Sequence, residues 1–186
     1  LARYGGNTSC VVIDAPDHDP IVLDLGTGLR SYGAEMCAAG RAEDWHGHVL
    51  LSHLHWDHVQ GLPFFTPLHH AGSAVDIHGP AHPEGPLGEV FERFMGPPFF
   101  PIRPSDLAAR ITFHDVVPGR FALGDAKVTA TPVRHTGPTL GFRVEVADVT
   151  VVLPMPEYTV SEEPDTVIDA PSVMPRKVKQ RNALSV

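Results

Sequence analysis

Long apolar runs are missing from this sequence: none approaches the roughly 20 residues that a membrane-spanning helix needs, so no membrane segment is expected. The N-terminus has no secretory pattern, although the sequence begins at leucine, which leaves an upstream targeting segment open. Cysteine is scarce, with only Cys10 and Cys37 and no CxxC spacing. We therefore expect two buried thiols in a reducing compartment, the cytoplasm, rather than a disulfide.

Basic residues are also scarce, with 14 lysines and arginines against 22 acidic residues and a formal net charge of −8. Four of the 14 lie between Arg176 and Arg181, and no acidic residue follows Asp169. The body of the chain is therefore strongly acidic and offers no basic stripe to a nucleic-acid backbone. This composition argues against nucleic acid as a partner and favours a small-molecule substrate.

The order of hydrophobic patterns predicts an α/β protein. Helical patterns cover 29–39 and 87–95. Short runs rich in β-branched residues predict strands at 9–15, 21–25, 47–51, 75–78, 111–113, 121–123, 127–133, 140–146 and 149–153. We expect one domain over residues 1–153. Residues 154–186 have turn and tail composition, and we predict no element there.

The most informative stretch is SHLHWDHVQGLPFF (52–65), which begins where the apolar strand at 47–51 ends. His53 and His55 are two residues apart, so in an extended segment both side chains could converge on one ion. Asp57 and His58 follow after a turn and suit a second ion. A loop that is rich in histidine by chance is the alternative. Four specified residues at fixed offsets, all of types that bind zinc, iron or manganese, favour a site for two metal ions.

HLHWDH resembles the HxHxDH signature of the metallo-β-lactamase superfamily. RYGGNTSC (3–10), LDLGTGLR (23–30) and PVRHTGPTLGFRVE (132–145) resemble its branch of ribonuclease Z-like and cyclic-phosphodiesterase-like hydrolases. The resemblance spans roughly residues 3–153 and implies an α/β fold, a metallo-β-lactamase-like αββα sandwich that is incomplete at both ends. It implies that His53, His55 and His135 bind one metal ion, and that Asp57 and His58 bind a second. The ions would be zinc, with manganese or iron as alternatives.

Four further residues each have a functional and a structural interpretation. Asp24 and Gly26 in LDLGTG could support the ligands, but simple turn chemistry is the stronger interpretation. His78 and His114 could contact the substrate, but a structural role is the stronger interpretation for a lone histidine in a strand.

The resemblance stops after the strand at 149–153. The family supplies a bridging aspartate just past this strand, where Glu157 is only an imperfect substitute ligand, and a final histidine, but none follows His135. A truncated or altered C-terminus is the favoured explanation. A single-metal site and a degenerate relative are the alternatives, and a homodimer could supply ligands from another chain.

The resemblance implies a hydrolase that uses a metal-bound hydroxide, because a bound ion lowers the pKa of its water to roughly 7. A small cyclic or nucleotide-like phosphodiester is the leading substrate, with Asp57 as the catalytic residue that orients the water or moves its proton. A lactone, thioester or β-lactam is the alternative substrate. A truncated, non-catalytic metal-binding module is the alternative to an enzyme.

Overall fold

A computed structural model describes residues 6–147 and 149–153 and the backbone of 178–180. The strands are β1 (Val11–Ile13), β2 (Ile21–Leu23), β3 (His46–Leu50), β4 (Ala74–Pro80), β5 (Arg110–Val116), β6 (Gly119–Leu123), β7 (Ala126–Pro132), β8 (Leu140–Val146), β9 (Val149–Leu153) and β10 (Val178–Gln180). The helices within the described ranges are α1 (Gly28–Ala38), α2 (Trp56–Val59) and α3 (Leu87–Phe94).

The first sheet has the strand order β10-β1-β2-β3-β4-β5. Strand β1 is antiparallel to both of its neighbours, whereas β2 to β5 run parallel to one another. Parallel neighbours need crossover connections, which α1, the segment containing α2, and α3 provide in turn. The carboxyl ends of β2 to β5 therefore meet at one edge of the sheet, and the segment that follows β3 begins there.

The helices cover one face of this sheet, because alternate residues of each strand point to opposite faces. Val49 of β3 belongs to the core beneath the helices, together with Trp45 and Tyr32. The Trp45 indole nitrogen donates a hydrogen bond to the Tyr32 hydroxyl at 3.2 Å, and the Phe65 ring stacks on Tyr32 with centroids 5.7 Å apart. This core fixes the position of α1 and of the segment that carries α2.

The second sheet is antiparallel, with the order β6-β7-β8-β9, and packs on the other face of the first. Leu50 and Ile13 of the first sheet share a core with Phe142 and Val144 of β8. The described residues thus form three layers: helices, a mixed sheet and an antiparallel sheet. This arrangement agrees with the predicted α/β sandwich.

The structure adds elements that the sequence analysis did not predict. They are α2, three 3₁₀ turns at Leu62–Phe64, Thr66–His69 and Pro104–Asp106, and strand β10. The prediction of two buried thiols is correct for Cys10 and wrong for Cys37, which is exposed. Helix α1 turns Met36 into the core, and the next residue along a helix faces a different direction. Among the described helices, none has the length and apolarity to cross a bilayer.

Candidate metal centre

The HxHxDH segment lies between the two sheets, at the carboxyl end of β3. Leu51 donates its backbone N–H to the His78 carbonyl oxygen at 2.8 Å, which continues the β3–β4 pairing. The Ser52 carbonyl oxygen accepts a hydrogen bond from the Leu140 N–H of the second sheet at 2.9 Å. His55 keeps an extended backbone and α2 begins immediately after it. The segment is therefore anchored to both sheets before its functional side chains begin.

His53, His55 and His135 converge as the sequence analysis predicts. One ring nitrogen from each lies within 4.8 Å of the others, and His135 Nε2 is 3.1 Å from His55 Nδ1. A tetrahedral zinc ion with Zn–N distances of about 2.0–2.1 Å leaves its nitrogens about 3.3 Å apart. His53 is buried, His135 half-buried and His55 exposed, so the group opens to solvent on one side. The donor set and its spacing therefore fit a zinc ion with an open position.

The electrostatic environment of His53 favours the form that binds a metal. Burial, followed by the neighbouring His58, lowers the pKa of His53 from 6.5 to about 3. The imidazole is therefore neutral at physiological pH. Neutral imidazole is the form that coordinates an ion, so His53 needs to lose no proton when it binds one.

Asp57 and His58 lie together beside the three histidines. Asp57 Oδ2 is 3.3 Å from His58 Nε2, and the His58 ring centroid is 4.1 Å from that of His53. Asp57 is exposed, whereas His58 is buried. Burial works to lower the pKa of His58, but the hydrogen bond to Asp24 and the charges of Asp24 and Asp57 outweigh it, so this pKa is raised. The sequence analysis predicts the second ion beside this pair, and that second position stays a prediction.

Asp24 is the residue whose role the sequence analysis underrated. Its carboxylate is fully buried and accepts hydrogen bonds from the Ser52 N–H and hydroxyl at 2.8 Å each, from His58 Nδ1 at 2.8 Å and from the Ser9 hydroxyl at 3.1 Å. The Ser52 oxygen in turn lies 3.0 Å from His53 Nδ1. Both imidazoles are held through Nδ1, which leaves Nε2 to face the site. Asp24 also has φ +61°, so it shapes the turn and orients two candidate ligands.

Two glycines allow α2 to approach the LDLGTG loop. Leu25 donates its N–H to the His58 carbonyl oxygen at 2.8 Å, and Gly61 donates its N–H to the Leu25 carbonyl oxygen at 2.7 Å. A Cβ atom at Gly61 would collide with backbone atoms of Gly26 and Leu25, and one at Gly26 would collide with the carbonyl oxygen of Asp57. Glycine at both positions is therefore what brings Asp57 and His58 to the site.

The remaining candidates do not join the cluster. His114 Nε2 lies 3.0 Å from Asp76 Oδ1, and the His78 ring stacks on His114 and on Phe121 of the second sheet, with centroids 4.4 and 5.9 Å away. These contacts favour the structural interpretation of both histidines. Glu157, the substitute ligand, lies outside the described residues.

Sequence comparison identifies the family. The model of the Beta-lactamase superfamily domain matches residues 21–153. The chain belongs to this superfamily. Among curated relatives, ribonuclease Z of Haloarcula marismortui is 28% identical over 149 residues, and that of Porphyromonas gingivalis is 30% identical over 145 residues. These matches cover 76% and 74% of this chain but 43% of each relative, so the chain spans less than half of the length of these relatives.

Structural comparison supports the same conclusion for the fold. The metallo-β-lactamase fold protein YhfI of Bacillus subtilis aligns with a TM-score of 0.55 at 18% identity, covering 78% of this chain and 53% of YhfI. The predicted metallo-β-lactamase-like sandwich, with part of the full fold present, is confirmed. The predicted membership of the ribonuclease Z-like branch of this hydrolase superfamily is also confirmed.

Proposed function

We propose that this chain carries the metal-binding residues of a metal-dependent hydrolase that cleaves a phosphodiester bond. The observation that carries the proposal is the convergence of His53, His55 and His135, with Asp57 and His58 beside them. The ribonuclease Z relatives support a phosphodiester as the substrate, rather than a lactone, thioester or β-lactam. Zinc is the ion we expect, with manganese or iron as alternatives.

Each residue of the site would have a distinct role in the reaction. The three histidines would hold one ion, and Asp57 and His58 would hold the second. A divalent ion bound here would lower the pKa of a water molecule and polarise a phosphoryl oxygen. Asp57, with its exposed carboxylate, would orient the attacking water and accept its proton. Asp24 would keep the His58 ring in the orientation that ligation needs.

Within this class, we propose a small cyclic or nucleotide-like diester as the substrate. The net charge of −8 disfavours a long polyanion. RNA is the second candidate, because the curated relatives are ribonucleases. A cytoplasmic location and a homodimer remain predictions.

The test combines metal content with hydrolysis. The chain is loaded with Zn²⁺ or Mn²⁺, its bound ions are counted, and it is assayed on bis-p-nitrophenyl phosphate, nitrocefin, a simple lactone and a single-stranded RNA. We expect at least one ion per chain and cleavage of the diester in preference to nitrocefin and the lactone. Preferential cleavage of RNA would favour the second candidate. Less than one ion per chain, together with no cleavage of any diester, would contradict the proposed activity and favour a non-catalytic module.

A variant separates catalysis from metal binding. Asp57→Asn keeps the shape of the side chain and leaves the three histidines in place. We expect it to retain the ion held by the histidines while the rate falls by about 10²- to 10⁴-fold, because the proton acceptor is lost. An unchanged rate would contradict the catalytic role of Asp57.

A further inference from the structure

The exposure of Trp56 is not explained by the proposed metal centre. Trp56 lies in sequence between His55 and Asp57 and is the first residue of α2. It is 58% exposed, whereas the other tryptophan, Trp45, is 3% exposed and lies in the core. Because adjacent residues have Cα atoms about 3.8 Å apart, the backbone of Trp56 lies directly beside that of two candidate ligands.

Phe94 of α3 holds the Trp56 ring in place. The two rings meet edge to face, with centroids 4.5 Å apart and an interplanar angle of 86°. Phe94 packs in the same way on Phe91, which is fully buried, with centroids 5.5 Å apart. The Trp56 ring is therefore tied to the core on one side, while most of its surface stays open to solvent. Such a ring is pre-organised for a ligand.

A second aromatic pair joins the same two segments of the chain. Phe64 and Phe100 also meet edge to face, with centroids 6.2 Å apart. Phe64 is 55% exposed and Phe99 is 78% exposed. Within the described ranges, every strongly exposed aromatic residue lies in the segment after β3 or in the segment that ends α3 and follows it. This concentration of exposed aromatic surface in two segments, one of which carries four of the five candidate ligands, indicates a ligand with a planar apolar part.

We propose that Trp56, positioned by Phe94, stacks on a planar ring of the substrate, a nucleobase, while the phosphodiester group lies at the metal centre. The proposal rests on the proposed function and adds a determinant of specificity to it. A nucleobase offers an aromatic face of the kind that stacks on exposed aromatic side chains, whereas a sugar phosphate offers none. Trp56 thereby selects substrates that carry a base over those that carry only an alkyl or sugar group.

The intrinsic fluorescence of the chain provides a test that does not depend on turnover. The zinc-loaded full chain is titrated with adenosine 5′-monophosphate and, separately, with ribose 5-phosphate. Because Trp45 is buried and Trp56 is exposed, a ligand that stacks on Trp56 should quench the tryptophan emission. We expect quenching by adenosine 5′-monophosphate and none by ribose 5-phosphate. Trp56→Phe should abolish the quenching and keep nucleotide affinity, measured by calorimetry, close to that of the parent chain. Trp56→Ala should weaken this affinity by roughly 5- to 150-fold.

Controls and contrary outcomes separate this subsite from other roles of the surface. Val117→Ala removes an apolar side chain that is 70% exposed on the loop after β5, and should change neither quenching nor affinity. Unchanged affinity in Trp56→Ala, or equal quenching by ribose 5-phosphate, would overturn the proposal. So would loss of a dimer in Trp56→Ala at unchanged nucleotide affinity, which would assign the surface to a second copy of the chain.

The subsite and the proposed function can fail separately. A chain that binds the nucleotide through Trp56 but cleaves no diester would keep the subsite and overturn the function. If bis-p-nitrophenyl phosphate is cleaved with the same KM by the parent chain and Trp56→Ala, and the nucleotide causes no quenching, the function stands and the subsite is wrong. With the subsite intact, Trp56→Ala should raise KM more than it lowers kcat, since the ring does not touch the reacting atoms.

Discussion

Substitution of Asp24 by asparagine tests how the candidate ligands are held. Asparagine keeps the shape of the side chain and tolerates the positive φ of this position. It replaces one of the two accepting oxygens by an NH₂ group, which then faces two donors, either the N–H and hydroxyl of Ser52 or His58 Nδ1 and the Ser9 hydroxyl. Hydrogen bonds to charged groups contribute about 1.5–3 kcal/mol each, so losing two should lower the free energy of unfolding by about 3–6 kcal/mol.

The assay is urea denaturation of the metal-free protein, together with zinc affinity measured by competition with a chelator. We expect a large decrease in the denaturation midpoint and a 10- to 100-fold loss of zinc affinity, because either His58 loses its orienting partner or Ser52, which holds His53, loses its own. Asp76→Asn is the matched control. Its carboxylate contacts His114 at a partly exposed site, and its loss should cost less than about 1 kcal/mol. Equal stability and zinc affinity in Asp24→Asn and the parent chain would refute the role assigned to Asp24.

Three further substitutions test a candidate metal ligand, a histidine of β4 that lies against the second sheet, and the close backbone contact at Gly61. His135→Ala should lower zinc affinity, measured by chelator competition, by more than about 100-fold. His46→Ala, at the opposite end of β3 from the site, should leave zinc affinity unchanged. Equal zinc affinities in the two variants would contradict ligation by His135. Burial, and then the neighbouring histidines, lower the pKa of His78 from 6.5 to about 4, so the neutral form is stabilised in the folded state. The free energy of unfolding, measured in urea, should therefore fall as pH decreases from 6.5 towards 4, with at most about 3 kcal/mol of the fall due to His78. The fall should be smaller in His78→Gln, and an identical pH profile in the variant would exclude this source. Gly61→Ala should lower the free energy of unfolding by more than about 2 kcal/mol, because the added Cβ atom would collide with backbone atoms. Gly6→Ala is the control, because a Cβ atom there has no neighbour within 4 Å. Equal thermal midpoints in the two variants would contradict the contact at Gly61.

The features that depend on local sequence were predictable. The convergence of His53 and His55 follows from their spacing of two residues at the end of a buried strand. The strand at 140–146 and the helix near 87–95 have clear periodicities, and the structure places β8 and α3 there. Helix α2 was not predictable in the same way, because four residues are too few to show a helical period.

The features that depend on tertiary packing were not predictable from the residues alone. His135 lies 80 residues from His55, and only the family resemblance indicated that the two meet. Asp24 has the sequence pattern of a turn residue because its four donors come from two segments distant from it in sequence, one at Ser9 and one containing Ser52 and His58. A carboxylate in an otherwise apolar run (IVLDL) was the available signal, since a buried charge needs several partners.

The candidate centre takes residues from both layers of the sandwich. His53 and His55 follow β3 of the first sheet, whereas His135 lies between β7 and β8 of the second. An ion held by all three would therefore crosslink the sheets, and at 100 times its Kd it would add about 2.7 kcal/mol to the free energy of unfolding. The coupling also acts in reverse. A cavity in the core between the sheets, such as Phe142→Ala, would let the layers shift and weaken metal binding without touching any ligand. Metal affinity in this chain is thus a property of how its two sheets pack.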